Sequence, residues 1–230
     1  MNRRDPDPRL AASRPSLDLR WATQRDVMGN GHSHVETPSQ TAGPYVHIGL
    51  MPDHAGLESP FAQEFGPQMR KDAARGDAIT LRGRVLDGTG SPMRDAVIEC
   101  WQADAEGRFT GMENADPAFG GFGRSACDPE TGEWRFDTVR PGRVPWHDGR
   151  LQAPHVSLFV IARGINIGLH TRAYFAGDPL NDQDPLLSAI QPPDRAGTMI
   201  ARDEEGGRWH LDIRVQRGPS GEAETVFLDI

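Results

Sequence analysis

The sequence predicts an all-β chain, a single antiparallel β-sandwich core with long loops and a few short peripheral helices. Three observations carry this expectation. From residue 78 onward apolar and polar residues alternate with period two, the pattern of strands with one buried face. The 230 residues include 26 Gly and 19 Pro, a turn-rich composition that disfavours a helical bundle. Helical patterns are sparse, and no repeat of roughly 20–50 residues suggests a propeller or solenoid.

The elements follow in order. Ile79, Leu81, Gly83 and Val85 alternate with Thr80, Arg82 and Arg84, and Asp87-Gly88-Thr89-Gly90 then supplies a turn. A second strand spans 96–103, with Val97, Glu99 and Trp101 on one face and Ile98, Cys100 and Gln102 on the other. A third covers 133–139, closed by Pro141-Gly142. Residues 156–162 are apolar on both faces, which predicts a central strand. Residues 171–175 form another, 209–215 a half-buried strand, and 225–228 a pairing segment near it. Short helices are expected within 60–75 and 184–201, the latter opened by Asp184-Pro185.

Residues 1–35 read as a disordered extension, with 36–230 as the domain. The extension carries six Arg and four Asp against a charge of −8 for the whole chain, and it lacks the apolar core of a secretory signal. That overall charge excludes a sequence-independent nucleic-acid binder. No apolar run approaches the length of about 18 residues that a membrane span needs. Two cysteines, Cys100 and Cys127, exclude a disulfide scaffold and make a reducing cytoplasm the default compartment.

Candidate chemistry is thin. Beyond His32 and His34 in the extension, no histidines have H-x-H or H-E-x-x-H spacing. His155 opens the central strand, but the same-face position two residues on is Ser157, a poor ligand for a transition metal, so a hydrogen-bonded core histidine is the default. Gly120-Gly121-Phe122-Gly123 neither follows a strand nor opens a helix and reads as a turn. Two segments suggest a binding surface. Thr37 to Tyr45 is a loop stiffened by Pro38 and Pro44 that presents hydroxyls. Arg163 directly follows the most buried strand, where its guanidinium must reach solvent or pair with an anion such as a carboxylate. On residue type alone, a core phenol for Tyr45 and a structural ion pair for Arg163 remain the simpler readings.

These residues lie in motifs that resemble a known family. TPSQTAGPYVHIGL at 37–50, RGRVLDGTGSPMRDAVIECWQADAEGRF at 82–109, FGGFGRSACDPETGEWRFDTVRPG at 119–142, APHVSLFVIARGINIGLHTRAYF at 153–175 and WHLDIRVQRGPSGEAETVFLDI at 209–230 together resemble the intradiol ring-cleaving dioxygenases of aromatic catabolism. Within that family the likeness is to the α chains of the enzymes that act on protocatechuate. The resemblance implies a β-sandwich core. In the family's catalytic chains a non-haem ferric ion is held by two tyrosines and two histidines. Here Val144 stands at one tyrosine position, Ser157 at one histidine position, and the stretch after Arg108 has no tyrosine; only His155 is kept. The chain's two tyrosines are Tyr45 and Tyr174. The resemblance therefore implies an iron-free chain with no catalytic or metal-binding residue of its own. It would pack on a homologous iron-bearing β chain that holds Fe(III), with protocatechuate and O2 as substrates of the complex. Thr41, Ala42, Gly43, Pro44, Tyr45 and Arg163 would line the mouth of the partner's pocket. Two alternatives stay open: a self-sufficient homo-oligomeric metal-dependent enzyme using His155, and an interaction module that kept only the fold.

Overall fold

The period-two stretches pair into one continuous sheet. The structure, a computed structural model, describes residues 41–43, 45–58, 65–166 and 168–229, with only the backbone of His47. A short helix α1 (Val46–Leu50) precedes nine strands. They are β1 (Ala78–Leu86), β2 (Val97–Trp101), β3 (Phe122–Ala126), β4 (Glu133–Val139), β5 (His155–Ile161), β6 (Leu169–Phe175), β7 (Ile200–Asp203), β8 (Arg208–His210) and β9 (Ile213–Arg214). Their spatial order is β3-β2-β5-β6-β7-β8-β1-β4, with β9 beside β1. As expected, β5 is interior, between β2 and β6.

The expected antiparallel sandwich is corrected here: the sheet is barrel-like and nearly closed. The strands at its two ends, β3 and β4, are consecutive in the chain. A turn joins them, with Asp128 N donating to the Glu133 carbonyl at 2.9 Å and Gly132 N to the Asp128 carbonyl at 2.7 Å. Arg135 N also donates to Ser125 Oγ at 3.1 Å, so the two ends of the sheet meet. Nor is the sheet wholly antiparallel, because β1–β8, β1–β9 and β6–β7 run parallel. Alternation in sequence reports one buried face per strand and cannot say whether that face meets a second sheet or the far side of its own.

One core fills the interior. Leu81, Ile98, Trp134, Phe136, Leu158 and Phe175 are almost inaccessible to water. Each such side chain contributes about 2 kcal/mol of transfer free energy on burial. The stretch expected as one strand at 209–215 is two, β8 and β9, and the cause lies at Gly83. A Cβ there would sit 1.8 Å from the Leu211 carbonyl oxygen, so the crossing backbone needs glycine. Beside it Asp212 Oδ1 accepts from Arg84 N at 3.0 Å, replacing a backbone partner. Strand β3 overlaps the Gly120–Gly123 run read as a turn, and β7 lies at the end of the expected helix 184–201. That region otherwise holds 3-10 turns at Leu187–Ala189 and Pro193–Met199, preceded by one at Asn181–Gln183. Residues 65–75 form no helix; 59–64 and the extension 1–35 lie outside the described residues. Thr225 N donates to the Arg214 carbonyl at 2.9 Å, the pairing expected of 225–228. Among the described residues no helix is long and apolar enough to cross a membrane.

Candidate functional site

The hairpin of β5 and β6 positions both arginines that matter. At its tip the chain leaves β5 at Ile161, and Ile165 N donates back to the Ala162 carbonyl at 3.1 Å. Gly164 takes φ +84°, a conformation in which a side chain would be strained. Its N–H donates to Thr41 Oγ1 at 2.7 Å, and Ala42 forms a parallel β-bridge with Arg163. Two segments more than a hundred residues apart in the chain, each singled out on the sequence, are thus neighbours. Gly43 accepts from Val46 N at 3.2 Å at the start of α1. Tyr45 caps the same turn with its carbonyl, while its side chain is 75% exposed. The simpler reading of Tyr45 as a core phenol is therefore overturned. Pro44 lies outside the described residues.

Arg163 combines both readings offered for it. Its Nε lies 3.1 Å from Asp95 Oδ2, yet its side chain is 63% exposed. An ion pair this exposed contributes at most about 1 kcal/mol. Among the described residues its two terminal nitrogens have no partner. The guanidinium borders an open cavity of about 490 Å³ lined also by His54, Met93, Arg94, Asp95 and Cys127. Thr41 and Ala42 meet the Arg163–Gly164 tip, but none of Thr41, Ala42, Gly43 and Tyr45 lines that cavity. Burial first, then Asp95 and Asp128, pushes the Cys127 thiol up to about 12, so it is no nucleophile.

The body of the hairpin holds His155 and Ser157, two of the positions at which the resemblance places metal ligands. His155 is nine-tenths buried, and its Nδ1 lies 2.9 Å from the Ala153 carbonyl. A carbonyl only accepts, so Nδ1 carries the proton. Desolvation, and then the nearby Arg172, lower its pKa to about 4. Ser157 stands opposite Arg172 across the β5–β6 pairing, and His155 opposite Tyr174. Arg172 is 8% exposed. Its Nη1 donates to Gln152 Oε1 at 2.6 Å and to the Tyr174 hydroxyl at 3.1 Å. That hydroxyl donates onward to Asp184 Oδ1 at 3.2 Å. Burial, the largest influence, pushes the Tyr174 phenol up, so it stays protonated. Asp184, wholly buried, also accepts from Ala153 N at 2.8 Å, Leu186 N at 2.9 Å and Leu187 N at 3.0 Å.

This donor set does not fit a ferric ion. A hard trivalent metal needs anionic oxygen donors. Val144 is a buried aliphatic side chain and Ser157 a neutral hydroxyl. The Tyr174 oxygen is already engaged, and a guanidinium sits among them. Among the described residues no three His, Cys, Asp or Glu side chains converge in a metal-ligating arrangement. Arg172, Gln152 and Asp95 had drawn no attention in the sequence. The one available hint was an arginine inside a strand flanked by residues expected to be buried. Asp184 was expected to start a helix as its N-cap; the 3-10 turn instead begins at Leu187 with Leu186 as its cap, and Asp184 accepts from the Leu186 and Leu187 N–H groups through one oxygen while the other fastens Ala153.

The fold is a nearly closed, mostly antiparallel sheet, and one hairpin of it carries Arg163 at its tip and the His155–Arg172 cluster in its body. A family model described as "Dioxygenase" matches residues 52–207. The chain belongs to the intradiol dioxygenase family. It is 46% identical over 198 residues to the protocatechuate 3,4-dioxygenase alpha chain of Pseudomonas putida, covering 84% of this chain and 96% of that one. It is 34% identical over 166 residues to the protocatechuate 3,4-dioxygenase beta chain of Burkholderia cepacia, covering 66% and 67%. Among solved structures, 3-chlorocatechol 1,2-dioxygenase from Rhodococcus opacus 1CP shares the fold, with TM-score 0.52 at 22% identity over 69% of this chain and 67% of that one.

Proposed function

We propose that this chain is the iron-free α subunit of a hetero-oligomeric protocatechuate 3,4-dioxygenase. It packs on a homologous ferric β chain and contributes Thr41, Ala42, Gly43, Pro44, Tyr45 and Arg163 to the mouth of that chain's substrate pocket. The complex opens the protocatechuate ring between the two hydroxyl-bearing carbons with O2, giving 3-carboxy-cis,cis-muconate. Both oxygen atoms enter the product, so no external reductant is consumed. The reading places the complex in the cytoplasm, in aromatic catabolism.

The observation that carries this is the pairing of Thr41 and Ala42 with the Arg163–Gly164 tip beside an exposed guanidinium. A cation with free N–H donors favours a benzoate carboxylate over a neutral ring. Thr41 and Ala42 hold the backbone of that tip in place, and the exposed Tyr45 phenol on the same segment would narrow the entrance for bulkier catechols. A second observation supports a partner. Phe65 is 63% and Trp101 45% exposed, and with Phe109 and Phe122 they form an aromatic cluster. Exposed aromatics grouped in this way suit a subunit interface.

The test is reconstitution. The chain expressed alone is expected to show no tyrosinate-to-iron colour and no oxygen uptake with protocatechuate. Co-expression with a β chain bearing two tyrosines and an H-x-H is expected to give a coloured, active complex. Stoichiometric iron and turnover in the lone chain would overturn the proposal.

A further inference from the structure

Arg172 is the most costly feature of the hairpin body. A buried guanidinium needs compensation, and here it comes without a direct carboxylate contact. Gln152 Oε1 takes one hydrogen bond, and the Tyr174 hydroxyl relays the charge to the buried Asp184. Gln152 is itself fixed, its N–H on the Val144 carbonyl at 2.9 Å and its Nε2 on the Pro145 carbonyl at 3.1 Å. On the other side the guanidinium carbon lies 5.8 Å from the centre of the Trp146 ring. Ser157 is its cross-strand neighbour, and facing side chains in such a pair lie about 5 Å apart at Cβ. The cation is therefore held by Gln152, Tyr174 and the Trp146 face, with Ser157 opposite it and His155 near enough to feel its charge, while its buried Nε has no hydrogen-bond partner among the described residues.

We infer that the Arg172 guanidinium replaces the family's metal as the fixed cation of this cluster, and that it bars metal ions from the position. The inference rests on the reading of this chain as the metal-free subunit, and it deepens that reading. Loss of ligands alone would leave a neutral pocket that new donors could reload. A buried, hydrogen-bonded positive charge repels any second cation, because the low-dielectric surroundings screen it poorly. Asp184, which balances it through Tyr174, accepts four hydrogen bonds and is not free to turn toward a metal.

The experiment uses the full chain. A Val144→Tyr/Ser157→His double variant supplies donors of the family's kind beside His155, and a triple variant adds Arg172→Gln. Each is titrated with Co²⁺, read by its visible d–d bands, and with Fe³⁺, read by phenolate charge transfer. The triple variant is expected to bind Co²⁺ about 100-fold more tightly than the double variant. Equal affinities would overturn the inference, as would a triple variant that melts like the double and still binds nothing. If Arg172→Gln does not fold in that background, Arg172→Met carries the same expectation. Arg172→Lys, which keeps the charge, is expected to stay metal-free; its loading would also overturn the inference. Iron in the wild-type chain sinks the subunit reading instead, so the two failures are told apart.

Discussion

Arg163 and Arg172 sit at the tip and in the body of one hairpin, and their surroundings differ in every respect. Arg163 follows β5, is largely exposed and touches one carboxylate through Nε. Arg172 lies mid-strand in β6, is 8% exposed and is held by neutral oxygens, with its carboxylate one hydroxyl away. The first is arranged to meet something outside the chain. The second is arranged to satisfy the chain itself. Arg163 keeps its guanidinium largely in solvent, whereas Arg172 directs Nη1 inward and leaves its buried Nε without a hydrogen-bond partner among the described residues. The hairpin thus turns one arginine toward solvent at its tip and buries the other in its body.

The largest expected effect comes from the body. Arg172→Ala leaves Gln152 Oε1 and the Tyr174–Asp184 pair without their cation, and removing one partner of such a buried network costs about 3 kcal/mol. Urea midpoints at neutral pH check this, and a variant as stable as wild type would erase the contrast between the two arginines. At the tip, Arg163→Ala is expected to leave folding intact. In the assembled complex it should lower kcat/KM for protocatechuate by roughly 10-fold or more, the loss of a charge-assisted hydrogen bond, with little change for catechol. An equal loss on both substrates would make Arg163 structural.

A smaller effect concerns pH. The folded pKa of His155, about 4, lies below the usual 6.5. The unfolded chain therefore binds the proton more readily throughout that window. The stability contributed by neutral His155 is present above pH ~6.5 and is lost as pH falls toward ~4. Denaturant midpoints measured across the window should decline for wild type and flatten for His155→Gln. The smallest effect is that of Asp95→Asn, which releases Arg163 from a screened ion pair. Stability should change by less than about 1 kcal/mol, while KM for protocatechuate shifts modestly because the guanidinium is no longer held in one direction.

Much of this was legible in the residues. Ile79 to Val85 and Glu133 to Val139 read as strands because alternation survives in a half-buried sheet, and β1 and β4 appear where it does. Phe122 to Ala126 did not, because Gly120 and Gly121 before it and Gly123 within it read as a turn. The segment is a strand since Gly123 lets Met69 pack against it; a Cβ at that position would lie 2.6 Å from Met69 Cγ. The break at Leu211–Asp212 was invisible because it depends on where that stretch crosses Gly83, not on its own pattern.

The amino-acid sequence by itself determined the strand-rich class, the shortage of phenolate and imidazole donors, and the two segments around Tyr45 and Arg163, since each is a property of residue type or local spacing. Only the tertiary structure decided that the sheet curls toward closure, that Thr41 bonds the backbone beside Arg163, and that Arg172 is tied to Gln152, Tyr174 and Asp184. Those contacts join residues far apart in the chain, and they exist only once strand register and loop crossings have set which side chains face one another.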